Sequence, residues 1–65
     1  MRMVYIENGV PLYVASSEID IICKIKSRFM ACEVLYDTVW PKGQCGLRIY
    51  VNGEIVGHVW QCESL

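Results

Sequence analysis

No apolar run in this 65-residue chain approaches the roughly 20 residues that a membrane-crossing helix needs, so a helical bilayer span is excluded. The N-terminal stretch MRMVYIENG lacks a long apolar core followed by a small-residue cleavage site, which leaves no secretory signal to read. A cytoplasmic location with reduced thiols is the expectation. An excess of one charge sign is missing too: six basic residues stand against seven acidic ones, for a formal net charge of -1. Duplex binders draw most of their affinity from phosphate neutralisation by a basic surplus. Generic nucleic-acid binding is therefore disfavoured.

The chain also lacks the usual marks of site chemistry. Zinc sites draw ligands from closely spaced pairs such as Cys-x2-Cys. Cys23, Cys32, Cys45 and Cys62 form no such pair, and only Cys62 stands near His58. No metal and no cofactor are expected. Cys23 and Cys32 read instead as small apolar packing residues on a helix, as buried free cysteines commonly are. Cys45 and Cys62 fall diagonally on one hairpin face, but a reducing compartment argues against a disulfide. His58 is the lone histidine, and its strand neighbours offer neither nucleophile nor carboxylate, so a packed, hydrogen-bonded ring is expected. The carboxylates have ordinary structural places: Glu7 and Glu54 beside turns, Glu18 and Asp20 at a helix start, Glu63 at the tail. No glycine-rich phosphate loop exists, since Gly43 and Gly46 belong to a turn and a strand start. A chain this short buries only about 60% of the surface its unfolded form exposes, which leaves little room for an ordinary ligand pocket. No catalytic residues and no enzyme activity are predicted.

What the chain has in plenty is hydrophobicity, 54% of its residues, arranged in short segments. MVYIE-NG-VPLYVA reads as a hairpin around Asn8-Gly9, because a type I′ turn needs positive φ at both central residues. A two-residue loop sets Glu7 opposite Val10, Tyr5 opposite Leu12 and Met3 opposite Val14. Pro11 then faces Ile6 at a non-hydrogen-bonded position, which makes residues 10 to 15 a sheet edge. In SSEIDIICKIKSRFMAC, Ser17 and Asp20 form a loose capping box, and Glu18 and Asp20 suit a helix N-terminus. Ile19, Ile22, Ile25 and Phe29 recur at helical spacing, with Ile21 and Cys32 widening the stripe. The spacing predicts an amphipathic helix from about 17 to about 31, with Lys24, Ser27 and Arg28 on its outer side. VLYDTVW, from Val34, reads as a third strand; a longer helix is the other reading, since no glycine or proline stops the first one. WPKGQ is a turn.

LRIYVNGEIVGHVW, residues 47 to 60, is the second Asn-Gly hairpin. A two-residue turn sets Val51 opposite Glu54, Ile49 opposite Val56, Leu47 opposite His58 and Cys45 opposite Trp60. The core face is then Leu47, Ile49, Val51, Val56, His58 and Trp60. The other face carries Tyr50 opposite Ile55, Arg48 opposite Gly57, and Val59 near Gly46. In the first hairpin Tyr5, Met3, Leu12 and Val14 share one side, with Ile6, Val4 and Tyr13 on the other. The order β-β-α-β-β-β predicts one α+β domain over residues 1–65: an antiparallel sheet of four to five strands with one amphipathic helix on one face. One helix cannot cover both faces of a sheet, and contiguous apolar patches usually mark interaction sites.

A non-enzymatic protein-interaction module follows as the leading expectation, a homodimer or the binder of a larger protein. Tyr13, Arg48, Tyr50, Ile55 and Val59 are its partner-binding candidates, since aromatic and arginine anchors dominate interfaces. Inhibitors and modulators encoded by phages or mobile elements are often of this size and kind. The alternative is a nucleic-acid-binding module using the KIKSR segment, with Lys24, Arg28 and Arg48 on phosphates and Tyr13, Trp40 or Tyr50 as stacking platforms.

Overall fold

The computed structural model describes residues 2–39 and 46–62. Strands β1 (Arg2–Glu7) and β2 (Val10–Ala15) flank the first Asn-Gly pair, and helix α1 (Glu18–Arg28) follows. Strand β3 (Val34–Val39) comes next, and β4 (Gly46–Val51) and β5 (Glu54–Cys62) flank the second pair. Asn8 and Gly9 have φ of 52° and 77°, and Asn52 and Gly53 have φ of 51° and 85°. Both turns thus have the left-handed pair of residues that a type I′ hairpin demands. All strand pairings are antiparallel, in the order β2-β1-β5-β4-β3. The sheet is one layer of five strands with one helix, the α+β arrangement that the order of segments predicts. Residues 34–39 are strand, and β2, the strand holding Pro11, lies at an edge. The turn expected at 40–44 and Cys45 lie outside the described residues.

Ser17 caps α1: its hydroxyl accepts the Asp20 N–H at 3.2 Å. Glu18 and Asp20 sit in the first turn, Lys26 and Arg28 in the last, each sign at the end where the helix dipole favours it. The helix stops at Arg28, short of residue 31. The Phe29 N–H closes on the Ile25 and Lys26 carbonyls, and Ala31, two residues past that cap, takes φ of 66°, a left-handed conformation that glycine adopts most easily. The buried stripe is Ile21, Ile22 and Ile25, while Ile19 is 77% exposed. Ile21 therefore replaces Ile19 as the residue facing the sheet. Cys23 and Cys32 are exposed, so they are not the packing residues the stripe suggested.

The core joins those isoleucines to Met3, Tyr5, Ala15, Leu47, Ile49 and Val59. Two bulges decide which strand residues reach it. Glu7 pairs with Val10 and Ile6 with Pro11, but Tyr5 pairs with Tyr13 and Met3 with Ala15. Leu12 is the extra residue. Likewise Val51 pairs with Glu54 and Tyr50 with Ile55, but Ile49 pairs with Gly57 and Leu47 with Val59. Val56 is the extra one here. Each bulge inserts one residue into one strand and so moves the rest of that strand to the other face. Val59 and Gly57 consequently turn toward the helix, while His58 and Trp60 turn away from it. The expected core roles of His58 and Trp60, and the exposed role of Val59, are reversed for this one reason.

Gly57 is where the second bulge is needed. A Cβ built on it falls 2.6 Å from the Ile6 carbonyl oxygen and 2.7 and 2.8 Å from Cε1 and Oη of Tyr5. The Tyr5 ring lies against the bare backbone at Gly57, and Tyr5 is wholly buried. No other residue leaves that space. Gly57→Ala is expected to cost about 1–3 kcal/mol, the usual penalty of overpacking a close-packed site, read as a lowered midpoint in urea. Ala31→Gly is expected to move stability the other way by up to about 1 kcal/mol, because it relieves a left-handed alanine. An unchanged or lowered midpoint for Ala31→Gly would show that position 31 is unstrained.

Candidate interaction surface

The face of the sheet opposite α1 is built from alternate residues of all five strands. Register places its side chains in rows that cross the sheet. Val14, Val4 and Trp60 form one row over β2, β1 and β5. Ile6, His58, Arg48 and Asp37 form the next over β1, β5, β4 and β3. Ile55, Tyr50 and Leu35 form a third over β5, β4 and β3. Val4 is buried even here, flanked in register by Val14 and Trp60. Leu35 is 55% exposed, Ile55 53%, Val14 46% and Trp60 37%, while Ile6, Asp37, Arg48 and Tyr50 are half-buried. The His58 and Trp60 rings stack at 6.4 Å between centroids.

Toward the β3 edge of this face is a charged pair held by register. Asp37 and Arg48 are direct cross-strand partners. The guanidinium donates from Nε to Oδ1 at 3.0 Å and from Nη2 to Oδ2 at 2.7 Å, the bidentate fork that suits a carboxylate. Tyr50 donates its hydroxyl to Oδ2 at 3.3 Å, and the Arg48 guanidinium stands 6.0 Å from the Tyr50 ring. Arg48, and then the Tyr50 hydroxyl, hold the Asp37 carboxyl below its ordinary range. Arg48 and Tyr50 are thereby fixed in one orientation beside Ile55 and Leu35.

On the helix side a second knot ties α1 to the sheet. The Arg28 guanidinium donates to both oxygens of Glu7, from Nη2 at 2.6 Å and from Nε at 3.3 Å, and the Tyr5 hydroxyl donates to Glu7 Oε1 at 2.9 Å. Arg28 lowers the Glu7 pKa from its usual range, with help from Tyr5. Burial, and then the Glu7 carboxylate, push the Tyr5 phenol well above its ordinary value. Tyr13 stacks on Tyr5 at 6.0 Å. It belongs to this side and not to the open face.

Of the expected anchors, Arg48, Tyr50 and Ile55 come together on the open face, whereas Val59 is fully buried and Tyr13 is turned to the core. The basic residues do not converge. Lys24 donates to the Val14 carbonyl at 3.0 Å, Arg28 binds Glu7, and Arg48 binds Asp37 across the sheet. Trp40 lies outside the described residues. Sequence reasoning missed Leu35, Asp37 and Trp60 as members of the face. The signal that could have found Trp60 is Gly57, because a glycine inside a strand often marks a bulge. Among the described residues no cluster of His, Cys, Asp and Glu could hold a metal ion, and no helix is long and apolar enough to cross a membrane. Comparison with known proteins finds no matching family model, curated protein or solved structure.

Both paired carboxylates titrate lower in the folded chain than when unfolded. Their pairs therefore support the fold above the ordinary carboxylate range, near pH 4, and that support is lost as pH falls through the lower folded values. The melting temperature is expected to drop as pH falls below about 5. Glu7→Gln should lower it at neutral pH and flatten the acid decline, as followed by circular dichroism. An acid limb identical to that of the parent chain would mean that the Glu7–Arg28 pair contributes nothing.

Proposed function

We propose that this chain is a non-enzymatic protein-interaction module whose contact surface is the sheet face opposite α1. The observation that carries the proposal is the row Leu35–Tyr50–Ile55 beside Arg48, in which exposed Leu35 and Ile55 flank a half-buried tyrosine on a rigid sheet. Tyrosine and arginine are the residue types that most often anchor interfaces. Here the arginine is already oriented by Asp37 and the tyrosine by the same carboxylate, so little side-chain freedom is lost on contact. A contiguous apolar patch bordered by polar groups is what a protein partner covers.

The charged groups favour binding over chemistry. Glu7 and Asp37 are each neutralised by an arginine, which leaves neither as a free acid or base. The three cations considered for phosphate binding are spent on separate internal acceptors, and the nucleic-acid reading gains no support from their placement. An inhibitor or modulator of a larger protein, of the sort phages and mobile elements encode, is the form this function takes.

Ile55→Asp tests the reading against Ile19→Asp. Ile19 is the more exposed of the two but belongs to the helix side. The parent chain is expected to retain one partner protein from extracts of its host in fixed stoichiometry. Ile55→Asp should abolish that retention and Ile19→Asp should preserve it, with both variants folded by circular dichroism. Equal retention by both variants would overturn the assignment of the face.

A further inference from the structure

The two edges of the sheet are not alike. Edge strands with unpaired N–H and C=O groups invite another chain, and proteins blunt them with proline, bulges and lysine. Strand β2 has all three: Pro11, the bulge at Leu12, and the Lys24 ammonium on the Val14 carbonyl. Strand β3 has none of them. It pairs with β4 through all six of its residues without a register shift, so its edge is straight.

The polar groups on that edge can be named. The Asn52 N–H donates to the Glu33 carbonyl at 2.9 Å, and Asn52 Oδ1 accepts the Glu33 N–H at 3.0 Å. Glu33 thus faces β4, and antiparallel alternation makes Leu35, Asp37 and Val39 do the same. Val34, Tyr36 and Thr38 must then direct their N–H and C=O outward. The second turn agrees: Val51 and Glu54 flank a two-residue loop and bond to each other, so Val51 cannot also bond to Val34. Among the described residues nothing meets these outward groups.

We propose that the β3 edge is the dimer interface of this protein, pairing antiparallel with β3 of a second copy about a twofold axis at Tyr36. In that register Val34 meets Thr38 of the other copy, Tyr36 meets its twin, and each pair exchanges both backbone bonds. It is the register that uses every outward group. Charge selects it as well. A twofold axis at Asp37 would set Asp37 against its twin, and an axis at Leu35 would set Asp37 against Glu33 of the other copy. With the axis at Tyr36, Asp37 lies opposite Leu35, its charge already held by Arg48. The Tyr36 ring, 45% exposed, gains an aromatic cross-strand neighbour. The same axis puts both helices on one side and joins the two open faces into one surface. The proposal rests on the edge and not on the face, so Ile55→Asp should leave the dimer intact.

Sedimentation equilibrium with reductant present, paired with amide hydrogen exchange, tests it. The parent chain is expected to dimerise, with slow exchange at the Val34, Tyr36 and Thr38 amides. Tyr36→Lys sets like charges directly opposite and removes the aromatic pair, and should weaken dimerisation about tenfold or more. In that variant the Val34 and Thr38 amides should exchange fast while Leu35 and Asp37, bonded to β4, stay slow and report an intact fold. Thr38→Pro, which removes an outward N–H alone, should act in the same direction. A parent chain that stays monomeric at millimolar concentration overturns the proposal. So does a dimer in which the outward amides of β3 exchange freely.

Discussion

The contact between the Tyr5 ring and the bare backbone of Gly57 is the constraint on which the rest of the arrangement depends. It brings β1 against β5, the two strands farthest apart in the chain that pair in the sheet, and so closes the N-terminal hairpin onto the C-terminal one. The closeness of ring and backbone leaves no room for a Cβ. Close-packed interiors feel even one added methyl. From the same ring the hydroxyl reaches Glu7, and Glu7 reaches Arg28 on α1. One buried side chain therefore aligns two hairpins and the helix that covers them.

The bulge at Val56 follows from that contact. For Gly57 to sit beneath Tyr5, β5 must carry one more residue than β4 between the turn and Ile49. The extra residue sends Val59 inward and His58 and Trp60 outward. A small domain has few ways to hide apolar groups, and this one gains a core valine while presenting a tryptophan. Trp60 is not idle on the open side, since with Val14 it flanks the buried Val4. The open face is thus part packing and part contact surface, and the Asp37–Arg48–Tyr50 cluster stiffens its β3–β4 end.

The helix covers the β1 and β2 side of the sheet, with Arg28 on Glu7 and Lys24 on Val14. That placement explains the asymmetry between the edges. The edge beneath the helix is blunted by its lysine, while the far edge extends beyond it, with Tyr36 bordering an apolar groove beside Ile19 and Ile22. A short helix cannot serve both ends of a five-stranded sheet. The face and the far edge are the parts of the molecule left with unmet surface and unmet backbone groups.

The sequence by itself determined what depends on neighbours in the chain. Asn-Gly placed both turns because only residues tolerant of positive φ form them. Ser17 placed the helix start, isoleucine spacing its existence, and Pro11 the edge character of β2. Segment order was enough for the α+β class. Tertiary structure alone decided the pairing of β1 with β5, the two bulges, the exchange of Ile19 for Ile21, and which hairpin face is buried. The β1–β5 pairing and the Val56 bulge depend on the fit of Tyr5 against Gly57, residues distant in the chain. Because strand side chains alternate with a period of two, one inserted residue inverts every later assignment in its own strand. Arg48 was legible as a surface residue because β4 carries no extra residue, and Tyr50 and Ile55 because they lie on the turn side of the bulge. Val59, beyond it, was not.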